Sequence, residues 1–166
     1  MPLARAEIRE TPHPLDVVEQ VAAQAGWSFE REQDDEICIS VVGGWSDYHL
    51  SFTWIPEQDA LHIGCAFDVK TPDHRRNELG KLIALVNEQL WVGHFGFWEQ
   101  EGIVLYRHAL LLPDGLQPVA VQCEAAVKAA IDACERYYQA FQFVLWSGRG
   151  AKEALEAALF ETAGEA

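Results

Sequence analysis

Apolar residues recur along this chain at two different periods, and the change from one to the other marks its elements. Leu15, Val18, Val21, Ala22 and Ala25 follow Pro14 at three- and four-residue steps, which is the period of an amphipathic helix. A proline suits the first helical turn, where its missing N–H costs nothing, and Gly26 supplies the stop. A helix is predicted over Pro14–Ala25. The period then falls to two. Trp27 and Phe29 alternate with Ser28 and Glu30, and Ile37, Ile39 and Val41 with Cys38 and Ser40. Tyr48, Leu50, Phe52 and Trp54 alternate with His49, Ser51 and Thr53, and Leu61, Ile63, Cys65 and Phe67 with His62, Gly64 and Ala66. Four half-buried antiparallel strands follow, with turns at Gly43–Gly44 and at Pro56–Asp59. The faces set a register for the third and fourth strands: Trp54 opposite Leu61, Phe52 opposite Ile63 and Leu50 opposite Cys65. His49, Ser51, Thr53 and His62 fall on the wetter face.

Thr71 is placed to cap a second helix with Pro72 at its first position, running to about Trp91. Its apolar stripe is Leu79, Leu82, Ile83, Val86 and Leu90, with Glu78, Lys81 and Glu88 toward solvent and Gly93 after it. Residues 94–99 and 103–111 read as a hairpin around Gln100–Gly102. Phe95, Phe97, Val104 and Tyr106 share one face, and Trp98, Ile103 and Leu105 the other. A strand apolar on both sides is usually covered on both sides, here by a helix and by a partner. Pro118 opens the longest helix, expected to reach Trp146. One stripe of it (Cys123, Val127, Ile131, Cys134, Tyr138, Phe141, Leu145) reads as core. A second (Ala126, Ala130, Ala133, Tyr137, Ala140, Val144) is rich in small residues and would let another helix approach closely. Ser147–Gly150 breaks this helix, and a short amphipathic one follows over 151–160. The expectation is one α+β domain over residues 13–160, a twisted antiparallel β-sheet packed by α-helices in the order α-β-β-β-β-α-β-β-α-α, with flexible tails at 1–12 and 161–166.

Composition narrows the function. The chain of 166 residues is 49% hydrophobic with six tryptophans, ample material for one core. Its 26 acidic against 12 basic residues give a net charge of −14, which repels a phosphate backbone. Nucleic acid and anionic membranes are therefore poor partners. The amino terminus lacks the apolar segment of a signal peptide, and no apolar run is long enough to span a membrane. The cytoplasm is the expected location.

No constellation of residues announces catalysis. Cys38 falls on the face opposite Ile37 and Ile39, whereas Cys65 lies on the apolar face. Cys123 and Cys134 sit about three helical turns apart, roughly 16 Å. Neither spacing permits a disulfide, and none of the four is in a CxxC pair, so they read as structural thiols. His49 and His62 share a face but not a cross-strand pair, and no carboxylate at fixed spacing joins His94 and His108, so neither a metal nor another cofactor is expected. There is no nucleophile elbow, and Ser147–Gly150 lacks phosphate-loop spacing. Trp54, Trp91, Trp98 and Trp146 fall near element ends, where they close the core or meet a partner. Ala126, Ala130, Ala133, Tyr137, Trp91 and Trp98 are the candidate protein interface. The alternative is a small-molecule sensor or weak enzyme with a pocket between sheet and helices, offering Arg75, Arg76, His94, Arg107 and His108.

An ordered series of short words adds to this reading. Gly44–Trp45–Ser46–Asp47–Tyr48 leads to Cys65–Ala66–Phe67–Asp68, then Pro72, Arg75–Arg76, Glu78–Leu79 and Asn87. Leu90–Trp91–Val92–Gly93–His94–Phe95 and Tyr106–Arg107–His108–Ala109–Leu110 follow. Ala133–Cys134–Glu135–Arg136–Tyr137–Tyr138 and Phe141–Gln142–Phe143–Val144–Leu145–Trp146 close the series. From about Trp27 to Phe160 the chain resembles the YbjN family of bacterial sensory transduction regulators. The resemblance implies a fold like that of type III secretion chaperones, often dimeric. It carries no catalytic residues, and implies a regulatory or chaperone-like role exercised on a protein or peptide partner, with a homodimer expected.

Overall fold

The computed structural model describes residues 12–164. Helix α1 (Pro14–Ala25) has the predicted bounds. His13 holds its start: its Nδ1 accepts from the Leu15 N–H at 3.1 Å, and its own N–H donates to Asp16 Oδ2 at 3.2 Å. Gly26 ends the helix at φ +72°, a conformation open to glycine at little cost. Four strands follow, β1 (Ser28–Gln33), β2 (Glu36–Val42), β3 (Asp47–Ile55) and β4 (Ala60–Lys70). Helix α2 (Arg76–Gln89), strands β5 (His94–Trp98) and β6 (Ile103–Leu111), and helices α3 (Ala120–Leu145) and α4 (Ala151–Gly164) complete the order.

The six strands form one antiparallel sheet in the order β1-β2-β3-β4-β6-β5. The β3–β4 register is the predicted one, with Trp54 opposite Leu61, Phe52 opposite Ile63 and Leu50 opposite Cys65. The side chains of one face, among them Ile37, Leu50, Ile63 and Tyr106, are buried beneath the helices. The other face, with His49, Ser51, Thr53 and His62, is exposed or half-exposed. In the core the rings of Phe67, Phe95 and Phe141 form a triangle, with Phe95 5.1 Å and Phe67 5.4 Å from Phe141 and 5.8 Å between the two.

Four helix ends depart from expectation. Pro118 does not open the longest helix, which begins at Ala120 after Val119 in an extended conformation. Thr71 does not cap α2. Its N–H is tied to the Gly102 carbonyl at 2.8 Å and its buried hydroxyl has no partner, so the chain turns through a 3-10 segment, Asp73–Arg75, before α2 begins at Arg76. That helix stops at Gln89, because Leu90 is extended and leads the chain back to β5. Finally, α4 continues past Phe160 to Gly164. Residues 1–11 and 165–166 of the expected tails lie outside the described residues.

Glu78, expected on solvent, has a structural task. It takes the Lys81 ammonium at 2.8 Å and accepts the Ala151 N–H at 3.0 Å. An acidic group at the start of α4 answers an unpaired N–H there and the positive end of the helix dipole. The polar cap that the Gly150–Ala151 sequence lacks locally comes instead from α2.

Candidate functional site

The tryptophan loop between α2 and β5 is the most exposed aromatic feature of the chain. Trp91 is 99% exposed and Val92 46%. The loop beneath them is clamped at three points. Asn87 Nδ2 donates to the Phe95 carbonyl at 2.9 Å, and the Phe95 N–H donates to Asn87 Oδ1 at 2.8 Å. Tyr106 Oη donates to the Val92 carbonyl at 2.9 Å. Gly93 adopts φ +69° directly over the Tyr106 ring, where any Cβ would collide with the phenol. The family-like words Asn87, Trp91–Phe95 and Tyr106 thus meet in one rigid joint, and that joint holds Trp91 out in solvent.

A second joint ties another pair of those words. Glu135 Oε1 on α3 accepts the Gly44 N–H, and a Cβ at Gly43 would strike both Glu135 and Tyr48. Burial first, then the Glu135 charge, push the Tyr48 phenol pKa far up.

The small-residue stripe of α3 is not a free surface. Ala126, Ala130, Ala133 and Tyr137 are 5%, 0%, 6% and 0% exposed, so the stripe serves the chain's own core and not an outer partner. The chain supplies its own close neighbours, since α3 packs against α1, α2 and α4 as well as against β4 and β6. Tyr137 Oη meets Gln89 of α2 at 3.0 Å. Of the residues expected at an interface, Trp91 and Trp98 remain outside, and Trp146 joins them at 60% exposure.

The five polar residues expected around a pocket do not converge. Arg75 is committed to the carboxyl end of α3, with its Nε on the Val144 carbonyl at 2.7 Å and its Nη2 on the Arg149 carbonyl at 2.6 Å. Arg76 pairs with Asp73 at 3.3 Å and lies 5.3 Å over the Phe97 ring. Both are structural, because Arg75 satisfies carbonyls distant in sequence and Arg76 a neighbouring charge. His108 lies opposite Ile63 in the β4–β6 ladder, outside the cavity that His94 and Arg107 line. That cavity, a trough of about 540 Å³, is also not between sheet and helices. It opens on the helix-free face, across β3, β4, β6 and β5. There Arg107 Nε donates to His62 Nε2 at 3.1 Å. Burial, and then the Arg107 charge, hold the His62 pKa below its usual value. The helix-free face was visible in the alternation of His49, Ser51, Thr53 and His62. Its continuation through β6 to β5 was not, because the β4–β6 pairing joins distant segments.

The thiols behave as packing groups. Cys134 is held as a thiol by its hydrogen bond with Cys65 and by burial, while burial alone dominates the rise of Cys123 to about 11. Cys38 is pushed up to about 11 by burial, then by Glu32 and Glu36. These three, with ligand atoms within 4.8 Å of one another, are the group among the described residues able to hold a metal ion. They are exposed or half-exposed, and their closeness follows from the β1–β2 pairing, which a search for ligand spacing along the sequence misses.

Among the described residues no helix is long and apolar enough to cross a membrane. No curated protein matches the chain in sequence. Among solved structures, YbjN from E. coli is 12% identical, with a TM-score of 0.55 over 90% of this chain and 94% of that one. This is a likeness of fold. The ExsC–ExsE complex includes a chain 18% identical, covering 74% of this chain and 88% of that one at a TM-score of 0.48. The HopA1–SchA chaperone–effector complex includes one 7% identical, covering 73% and 94% at 0.47. A family model described as "putative bacterial sensory transduction regulator" matches residues 14–143. With its motif words meeting as joints of the fold and most of its length matched, this chain belongs to the YbjN family.

Proposed function

We propose that this chain is a non-enzymatic regulatory or chaperone-like protein of the cytoplasm that works by binding another polypeptide. The observation that carries the reading is Trp91, 99% exposed on a loop fixed by Asn87, Gly93 and Tyr106. A fully solvated indole contributes nothing to the chain's own core. Because the loop backbone is fixed, little beyond the indole's own rotamers is ordered when a partner covers it, as suits a binding hot spot. Family membership supports the regulatory side of the reading. The raised thiol pKa values of Cys38, Cys123 and Cys134 suit packing and not nucleophilic attack. A homodimer belongs to the same reading, built on a surface other than the buried alanine stripe of α3.

Trp91→Ala tests it. The variant is expected to melt with the parent chain and to lose the protein that the parent captures from its native cells, while Val42→Ala, at a position 84% exposed, retains it. Equal capture by Trp91→Ala would remove Trp91 from the partner surface. Sedimentation of the isolated chain is expected to give a dimer, and a lone monomeric species at high concentration would overturn that part.

A further inference from the structure

The trough on the helix-free face has a floor that the fold itself does not require. Cross-strand pairing sets Ser51, Gly64, Arg107 and His94 in one row, and Ala66, Leu105 and Gly96 in the next. Glycine inside a strand weakens it, and often marks a place where another molecule approaches the backbone. Here neither glycine answers a need of the chain. Neither has a positive φ. A Cβ at Gly96 would meet nothing within 4 Å, and one at Gly64 would make ordinary contact with the His62 ring at 3.5 Å. What the two glycines do is keep the trough deep.

Its charge is also sorted. The chain carries 26 acidic residues, yet the trough is lined by Arg107, His49, His62 and His94 and by no Asp or Glu. Arg107 is steadied by its bond to His62, and among the described residues no carboxylate pairs with its guanidinium. Leu105 and the half-exposed Trp98 supply apolar surface. The volume, about 540 Å³, is in the range that encloses a small organic molecule, roughly 300–1,000 Å³. An extended peptide is less well served, because the inner strands β4 and β6 already have neighbours on both sides and offer it no strand to join.

We propose that this trough binds a small organic anion with a flat apolar body. Its carboxylate meets Arg107, with His62 and His94 beside it, and its body lies over Gly64 and Gly96 against Leu105 and Trp98. A carboxylate on a guanidinium is a charge-assisted, two-pronged contact, and glycine floors admit a flat ring. The site is separate from the Trp91 loop and does not rest on the polypeptide-binding reading.

The test titrates the full chain with 2-naphthoate, using neutral 2-naphthamide and a hexaglutamate peptide as comparisons, and follows amide resonances. Naphthoate is expected to shift Gly64, Gly96 and Arg107 saturably, and to bind about tenfold more tightly than the amide. Arg107→Gln and Gly96→Val are each expected to weaken it by about tenfold while leaving the melting temperature near that of the parent. Gly64→Ala serves in place of Gly96→Val if the latter disturbs the fold. Shifts that do not saturate, that fall elsewhere, or that persist in Arg107→Gln overturn the site. Tighter binding of hexaglutamate at the same resonances overturns the small-molecule occupant.

Discussion

Asn87 on α2 satisfies both backbone groups of Phe95 on β5, accepting its N–H at 2.8 Å and donating to its carbonyl at 2.9 Å. Strand β5 is an edge of the sheet, and an unpaired edge is a template for unwanted strand addition. One side-chain amide imitates the missing neighbour at the residue whose ring sits in the aromatic core. Asn87→Ala is expected to cost roughly 1–3 kcal/mol, since it leaves two part-buried backbone groups without their partner, and to raise amide exchange at Phe95 before the rest of the sheet. Protection at Phe95 equal to that of the parent would show that the edge is held by something else.

Gly93 stands at φ +69° against the Tyr106 phenol. Gly93→Ala adds both a strained backbone and a collision, and is expected to destabilise by about 2 kcal/mol or more. Tyr106→Phe keeps the ring and loses only the bond to Val92, a change of about 1 kcal/mol. Denaturant midpoints of the two variants check the order, and a larger loss in Tyr106→Phe would reverse the account.

Ala130 is wholly buried on α3. As an outer contact it would tolerate glutamate with helical content intact. Inside the core it cannot, because an unpaired carboxylate there costs far more than a methyl group gains. Ala130→Glu is expected to lose more than about 4 kcal/mol and its cooperative melt. A folded Ala130→Glu that merely dissociates would return the stripe to a partner surface.

Acid should loosen the chain through its half-buried histidines. His62, by burial and then Arg107 and His94, and His108, by burial and then His94, have folded-state pKa values below the usual 6.5. Above that value both are neutral whether the chain is folded or not. As pH falls through it, the unfolded chain takes up protons that the folded chain refuses. Their contribution to stability is therefore full above about pH 6.5 and is lost below it, until the folded-state values are reached. The double variant His62→Asn, His108→Asn should flatten this limb of the stability profile, and an unchanged slope would assign it to other groups.

Much of the fold was legible because it is local. A period of two fixes which residues of β3 and β4 share a face, and the turn at Pro56–Asp59 fixes their offset, so Trp54–Leu61 follows directly from the letters. The bounds of α1 follow from Pro14 and Gly26 in the same way. The candidate site was less legible. Arg75 and Arg76 look like ligand groups in a sequence, because a charged residue spent on a distant carbonyl and one exposed to a ligand are written identically.

The sequence alone determined the element order, the two-faced strands and the family, all properties carried by spacing along the chain. Only the tertiary structure decided that the alanine face of α3 is inner, that Glu135 reaches Gly44 across 91 residues, and that Trp91 stands in solvent on a clamped loop. Those outcomes depend on which long-range contacts fill space and satisfy polar groups together, and no local period records that choice.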